Sequence, residues 1–306
     1  MIMTAFKKIL RIVVLQLSAI ALSNVLGAQN NNSKEFATGQ MDNAFLECSY
    51  KYRYLKDTLD KDKVTNDEML LLIGRNATSY ISKLEMVRDS VFKALSKSNM
   101  DVNAKVAAIS KYKTGTQSYM YTQGDNLCEV TKVGVDNISY IEKIPDFNWI
   151  VVQDSVKNIA GYECNMATCS FRGRDYIAWF APDVPVNAGP WKFRGLPGLI
   201  LKVADRQGHY SWELDGIQEC RKPIEFTNKK YVKTSFEKFI KTYKRYIEDP
   251  VGYITASGGA TVKVIDASTG RELTPAEIRK SKITVNVNDA SVSSSRGYDP
   301  IEKIIE

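Results

Sequence analysis

One histidine, five cysteines and 35 acidic residues are the groups from which this 306-residue chain could build a reactive centre. His209 follows Gly208 at the start of a strand-like run, a solvated position. Ser211 shares its face, but i and i+2 side chains of a strand diverge and cannot form a nucleophile–base contact. No GxSxG elbow accompanies them. A Ser-His-acid or Cys-His centre would have to use that single imidazole, so none is expected. Two carboxylates flanking a substrate would suit a glycoside hydrolase, yet no spacing singles out a pair. Asp175, beside Arg172 and Arg174, reads as a turn ion pair. Ser257-Gly258-Gly259 lacks the lysine and helix context of a phosphate loop.

The cysteines are Cys48, Cys128, Cys164, Cys169 and Cys220. There is no CxxC, and the lone histidine cannot complete a metal-ligand set, so neither a metal nor a cofactor is expected. In an exported chain such thiols pair, and an odd count leaves one over. Cys164 and Cys169 differ by an odd number, which puts them on opposite faces of a regular strand. The expectation is a disulfide between distant elements, with Cys169–Cys220 the candidate pair.

The unusual segment is Ala181–Ile200, APDVPVNAGPWKFRGLPGLI. Its four prolines forbid a regular helix, and it is too apolar for a solvated loop. Leu196-Pro197-Gly198-Leu199 has the proline and glycine of a type II turn, with Gly198 supplying the positive φ. Two readings stay open: an ordered corner that closes one end of a sheet, or a lip over an apolar site. In the second, Trp179, Trp191, Phe193 and Leu196 line the site or its rim.

Lys7, Lys8 and Arg11 precede an apolar stretch, Ile12 to Leu26, which ends at the small residues Gly27 and Ala28. That is the order of a secretory signal peptide over 1–28, and four polar interruptions argue against a membrane span. A flexible leader over 29–44 and a single domain over 45–306 would follow. Cleavage removes three basic residues and lowers the net charge from +7 to +4. The remaining basic residues are dispersed, which excludes a nucleic-acid surface. The expected mature chain has no transmembrane span and works in the periplasm or outside the cell.

Elements that could position a site follow from periodicity. Leu70–Ile73 and Thr78–Ser82 read as strands around Gly74-Arg75-Asn76. Ser82 and Glu85 form a capping box for a helix, and Asp101 opens a second over Val102–Lys111. Short strands follow at Ser118–Thr122, Leu127–Lys132, Ile138–Lys143 and Trp149–Gln153. A hairpin turning at Arg172-Gly173 sets Met166 against Trp179 and Thr168 against Ile177. In a second hairpin, Leu199, Leu201 and Val203 share a layer with Tyr210, Trp212 and Leu214. Thr234–Ile247 is an amphipathic helix capped by Thr234, its apolar stripe docked on a sheet. Thr261–Ile265 and Ile283–Val287 read as strands, and Thr274 with Glu277 as a helix start. The fold class is α+β: a curved, mostly antiparallel sheet, an open half-barrel in one version, with a few packed helices.

Gly195-Leu196-Pro197-Gly198-Leu199-Ile200 spells the hexapeptide of the GLPGLI family of exported bacterial envelope proteins. Gly161-Tyr162-Glu163-Cys164, Phe171-Arg172-Gly173-Arg174, Ala178-Trp179-Phe180 and Gly189-Pro190-Trp191-Lys192-Phe193 also resemble its pattern. Leu71-Leu72-Ile73-Gly74 and Asp299-Pro300-Ile301-Glu302 look similar to its two ends. Val184-Pro185 and Asp299-Pro300 depart from the family's Ile-Pro and Asn-Pro. The resemblance covers about residues 45–306 and implies no activity. Its β-rich pattern is similar to half-barrels that carry acyl-bearing molecules, an analogy of fold alone. The expectation is a non-enzymatic envelope protein binding an apolar, lipid-like or peptide ligand. The alternatives are an accessory subunit docked on an outer-membrane protein, or a hydrolase using unidentified carboxylates.

Overall fold

The computed structural model describes residues 36, 39–55, 64–112, 115–134, 136–226, 231–257, 271, 273–274, 277, 285–287, 290–292 and 301–303. The expected signal over 1–28 and the strand over 261–265 lie outside them.

The chain opens with a strand that its polar start disguises. β1 (Gly39–Leu55) begins inside the stretch expected as a leader, so Gly39–Ala44 is paired sheet. Beyond it Leu46, Cys48, Tyr50, Tyr52 and Tyr54 alternate with Glu47, Ser49, Lys51 and Arg53, the period of a half-buried strand. β2 (Val64–Gly74) and β3 (Ala77–Ser82) turn where Gly74-Arg75-Asn76 marks them. The Ser82 hydroxyl accepts the Glu85 N–H and opens α1 (Lys83–Ser96). Asp101 likewise caps α2 (Val102–Ile109).

β4 (Ser118–Gln123), β5 (Asn126–Val133), β6 (Asp136–Lys143) and β7 (Ile150–Ile159) follow as short antiparallel strands. β8 (Tyr162–Phe171) and β9 (Arg174–Ala181) pair Met166 with Trp179 and Thr168 with Ile177, the register that a two-residue turn dictates. β10 (Leu199–Asp205) pairs with β11 (Tyr210–Phe226), Val203 lying opposite Trp212. Leu199, Leu201, Val203, Tyr210, Trp212 and Leu214 are all buried.

Among the described residues, twelve strands form one open sheet in the order β12-β6-β5-β4-β3-β2-β1-β11-β10-β9-β8-β7. Two meanders, β2–β6 and β7–β11, are joined by the long pairing of β1 with β11. All neighbours are antiparallel except β12 (Val232–Thr234), which runs parallel to β6. Among the described residues, β12 and β7 are the edges of this sheet. The fold is α+β with a mostly antiparallel sheet, as the periodicity required.

α3 (Phe236–Glu248) starts one residue later than its sequence suggests. Ser235, not Thr234, is the cap and accepts the Lys238 N–H at 3.3 Å, because Thr234 is still hydrogen-bonded strand. Phe239 packs on Val133, Ile138 and Tyr140, which fixes the helix over β5 and β6. α4 (Pro250–Ala256) follows, and β13 (Val285–Val287) pairs with β14 (Ala290–Val292) as a separate ribbon. Thr274 and Glu277 form the reciprocal box expected of a helix start: each accepts the other's backbone N–H.

The expected disulfide is absent: all five cysteines are free thiols. Cys169 lies on β8 and Cys220 on β11, with β9 and β10 between them. Three strand spacings amount to roughly 14 Å, about twice the Cα separation a disulfide spans. Burial pushes the Cys48, Cys128 and Cys169 thiols up to about 12 and the Cys164 thiol to about 11.

Candidate functional site

A cavity of about 240 Å³ opens between the inner face of the sheet and α3. Its floor comes from β1 and β11, whose register places Tyr52 opposite Trp212 and Tyr54 opposite Tyr210. The first pair stacks at 4.9 Å and 9°, the second at 6.3 Å and 7°. Tyr80, Met69 and Met120 extend this floor, and Phe239, Ile240 and Tyr243 of α3 form the roof. Trp191 closes one end, stacked on Trp212 at 6.1 Å and 13°. Its φ of +53° is unusual for a tryptophan. Such backbone strain costs about 1–3 kcal/mol and persists where surrounding structure enforces it; here the ring is wedged among Phe171, Phe193 and Trp212.

Behind Trp191 lies a buried ionic cluster. The Lys192 ammonium, fully enclosed, donates to Glu142 Oε1 and Glu302 Oε1, each at 2.8 Å, and to Tyr140 Oη at 3.0 Å. Glu129 Oε2 lies 3.2 Å from the same nitrogen. Arg172 binds Glu142 and Glu302 from the other side. Ser118 and Tyr140 donate to Glu129, which together with Glu302 reaches the cavity wall. Burial alone would lower the Lys192 pKa, but Glu302, Glu129 and Glu142 outweigh it and raise it. Burial opposes ionisation of Glu142, yet Lys192 and Arg172 prevail and hold its pKa below the ordinary value.

Among the described residues, three buried side-chain polar atoms have no hydrogen-bond partner: Tyr80 Oη, Trp212 Nε1 and Thr116 Oγ1. All three residues line the cavity. Burial drives the Tyr80 phenol pKa well above its ordinary value, opposed by the N–H groups of Trp212 and Trp191 that approach its oxygen. Those approaches fall short of formed hydrogen bonds. Thr116 is fixed in place by its backbone N–H, which donates to Asp67 Oδ2 at 2.6 Å. A buried unsatisfied polar group costs about 1–3 kcal/mol.

The residues singled out in the sequence scatter around this cavity. Trp191 lines it. Phe193 and Leu196, 1% and 3% exposed, are core beneath it. Trp179 lies on the opposite face of β9 from the buried Tyr176, Ala178 and Phe180, with the Lys157 ammonium over its ring. Asp175 accepts a hydrogen bond from the Ser170 hydroxyl, while Arg172 joins the ionic cluster and Arg174 pairs with the buried Asp205 at 2.8 Å.

The hexapeptide is an ordered corner. Gly198 N–H donates to Leu196 O at 2.9 Å, a three-residue turn about Pro197 in place of a type II turn. Its φ is +155°, and a Cβ there would stand 2.2 Å from Ala181 O. Glycine is required by the passing backbone of Ala181 and Pro182.

Glu129, Glu142 and Lys192 had one legible signal. Glu129 is opposite Met120 and Tyr140 in the sheet, a carboxylate on an otherwise apolar face. Pairing with Lys192 is what makes that placement tolerable.

A family described as "Protein of unknown function (Porph_ging)" matches residues 170–202, from the end of β8 through the hexapeptide. No curated protein matches the chain. Among solved structures, "Structure of PNGF-II in P21 space group" is similar at 12% identity and a TM-score of 0.44, over 65% of this chain and 32% of that one. "Structure of PNGF-II in C2 space group" is similar at 14% identity and 0.44, over 66% and 32%. The chain thus spans about a third of the length of these structures. Among the described residues, no helix is long and apolar enough to cross a membrane.

Proposed function

We propose that this chain is an exported, non-enzymatic binding protein of the GLPGLI type, whose ligand occupies the aromatic cavity beneath α3. The observation that carries the reading is the cavity itself. Eight aromatic side chains line it, and such concave, mostly apolar sites with a few polar groups are where small ligands bind. At about 240 Å³ it suits one ring or a short chain segment, smaller than a whole lipid. A peptide side chain or the end of an acyl chain fits the same limit.

A hydrolase reading has one observation in its favour, since Glu129 and Glu302 both reach the cavity. Both are tied to the Lys192 ammonium. Held in ion pairs within the charge cluster, they already have a structural partner, so binding is the better-supported function.

The test is a titration of intrinsic tryptophan fluorescence with indole as a ring probe and dodecanoate as a chain probe. Trp191 and Trp212 report directly from the wall. At least one probe should saturate the signal, and Ile240→Trp, which fills the cavity from α3, should abolish saturation while leaving the fold intact. No saturation by either probe would overturn the reading.

A further inference from the structure

We propose that the connecting end of the α1–α2 helix pair is a docking surface for an anionic lipid bilayer. This goes beyond the cavity reading and does not depend on it.

The pair is pinned to the sheet at its other end. Glu85, in the first turn of α1, accepts the Gly115 N–H at 2.9 Å and the Tyr119 hydroxyl at 3.2 Å. Arg88 donates to Tyr112 O at 3.3 Å, so α2 runs back beside α1. From Glu85 to the end of α1 is about 16 Å, and the connection over 97–101 lies at that far end.

Apolar surface is concentrated on this pair. Among the described residues, seven of the twelve exposed large apolar side chains fall between Met86 and Tyr112. Single exposed apolar residues are ordinary on a protein surface, but a concentration of them marks an interaction site. Phe92, Val102 and Val106 are 62%, 74% and 59% exposed, and Met100 stands exposed in the connection. α2 is turned inside out for a helix packed on a core. Val102 and Val106, one turn apart, face outward, while Ala104 and Ala108 are half-covered. None of its residues is buried. A helix of eight residues gains little stability from its own backbone, so a surface that covers the two valines would also order it.

Charge decides what that surface is. From Phe92 to Tyr112 the chain carries Lys93, Lys97, Lys105 and Lys111 against Asp101 alone. Asp101 is engaged at the start of α2, its carboxylate accepting the Ala104 N–H at 3.0 Å. The excess positive charge complements anionic headgroups. The cores of protein–protein interfaces are depleted in lysine, whereas helices that lie in a bilayer surface combine lysine with phenylalanine and other apolar residues. A lysine stem packs along the apolar layer while its ammonium reaches the headgroups. Lysines interleaved with Phe92, Met100 and the two valines therefore favour a lipid surface over a protein partner.

The experiment is co-sedimentation of the full chain with vesicles of phosphatidylcholine alone, and of phosphatidylcholine and phosphatidylglycerol in equal parts. Tighter binding to the anionic vesicles is expected, weakened by salt. Phe92→Ala, Val102→Ala and Val106→Ala combined put a better helix former at each position. The melting temperature should therefore hold while affinity for anionic vesicles falls about tenfold or more. Lys93→Gln, Lys97→Gln and Lys105→Gln combined should cost about fivefold per lysine, on the anionic vesicles alone. The apolar stretch from Ile12 to Leu26 is the same in every variant, so the differences report on the helix pair. Binding to neither vesicle overturns the proposal, as does binding to anionic vesicles that either set of substitutions leaves unchanged. Self-association in analytical ultracentrifugation that the alanine set abolishes, without vesicle binding, would assign the surface to a protein contact and overturn it too.

Discussion

Lys192 Nζ and Glu302 Oε1 lie 2.8 Å apart across 110 residues of sequence. One belongs to the proline-rich corner before β10, the other to the last described segment of the chain. Their contact sets Ile301 and Glu302 into the cavity wall, so the charge cluster and the cavity share a boundary.

Lys192→Ala should therefore destabilise the fold strongly. It leaves Glu129, Glu142 and Glu302 facing Arg172 alone, and breaking a buried pair from one side costs about 3–5 kcal/mol. Lys192→Met with Glu302→Gln should recover part of that loss. Urea unfolding monitored by tryptophan fluorescence measures both, and a Lys192→Ala variant within 1 kcal/mol of the parent would contradict the cluster's structural role.

The same cluster fixes a pH dependence. The folded-state pKa of Glu142 is depressed, so its contribution is present above the ordinary glutamate value of about 4.3. It fades as pH falls toward the folded value. The folded-state pKa of Lys192 is raised, so its contribution is complete below about 10.4 and is lost as pH climbs higher. Melting temperature should be level between those limits and decline on both sides. Glu142→Gln should flatten the acid limb; an unchanged limb would assign it to other carboxylates.

Gly198→Ala should cost about 1–3 kcal/mol, because its Cβ meets backbone and not a side chain that can swing away. Gly161→Ala is the control. It too has positive φ, but nothing lies within 4 Å of its added Cβ. A larger melting-temperature drop at Gly161 than at Gly198 would show that conformation, not crowding, dictates glycine in the corner.

Thiol labelling should follow burial. Cys48, Cys128, Cys164 and Cys169 are buried with raised pKa values, while Cys220 is half-buried. Iodoacetamide at pH 8 should modify Cys220 first, and the other four only on unfolding. Peptide mapping that found Cys169 joined to Cys220 would require a different strand order.

Export predicts a mature N-terminus at Gln29. Mass spectrometry of the envelope fraction should find it, and an intact Met1 there would count against cleavage.

The sequence by itself determined the local elements, because their causes are local. Serine and aspartate caps with acids or turns nearby set where α1 and α2 begin. The two-residue turn at Arg172-Gly173 fixed the register of one hairpin, and alternation along 199–214 fixed which side chains of the second share a layer, since a one-residue slip would turn its apolar set outward. The alternation from Leu46 to Tyr54 was equally local, but β1 and its pairing with a seventeen-residue β11 join segments more than 150 residues apart. No period announces a partner at that distance. Tertiary structure alone gathered Glu129 from β5, Glu142 from β6, Arg172 from a turn, Lys192 from the corner and Glu302 from the final segment. Each is unremarkable in its own stretch of sequence. It also decided that Gly198 answers to the backbone at Ala181, and that Trp191 faces the cavity while Phe193, two residues on, is buried beneath it. Charge pairing and close packing depend on distances in space, and those exist only once the sheet has closed β1 against β11.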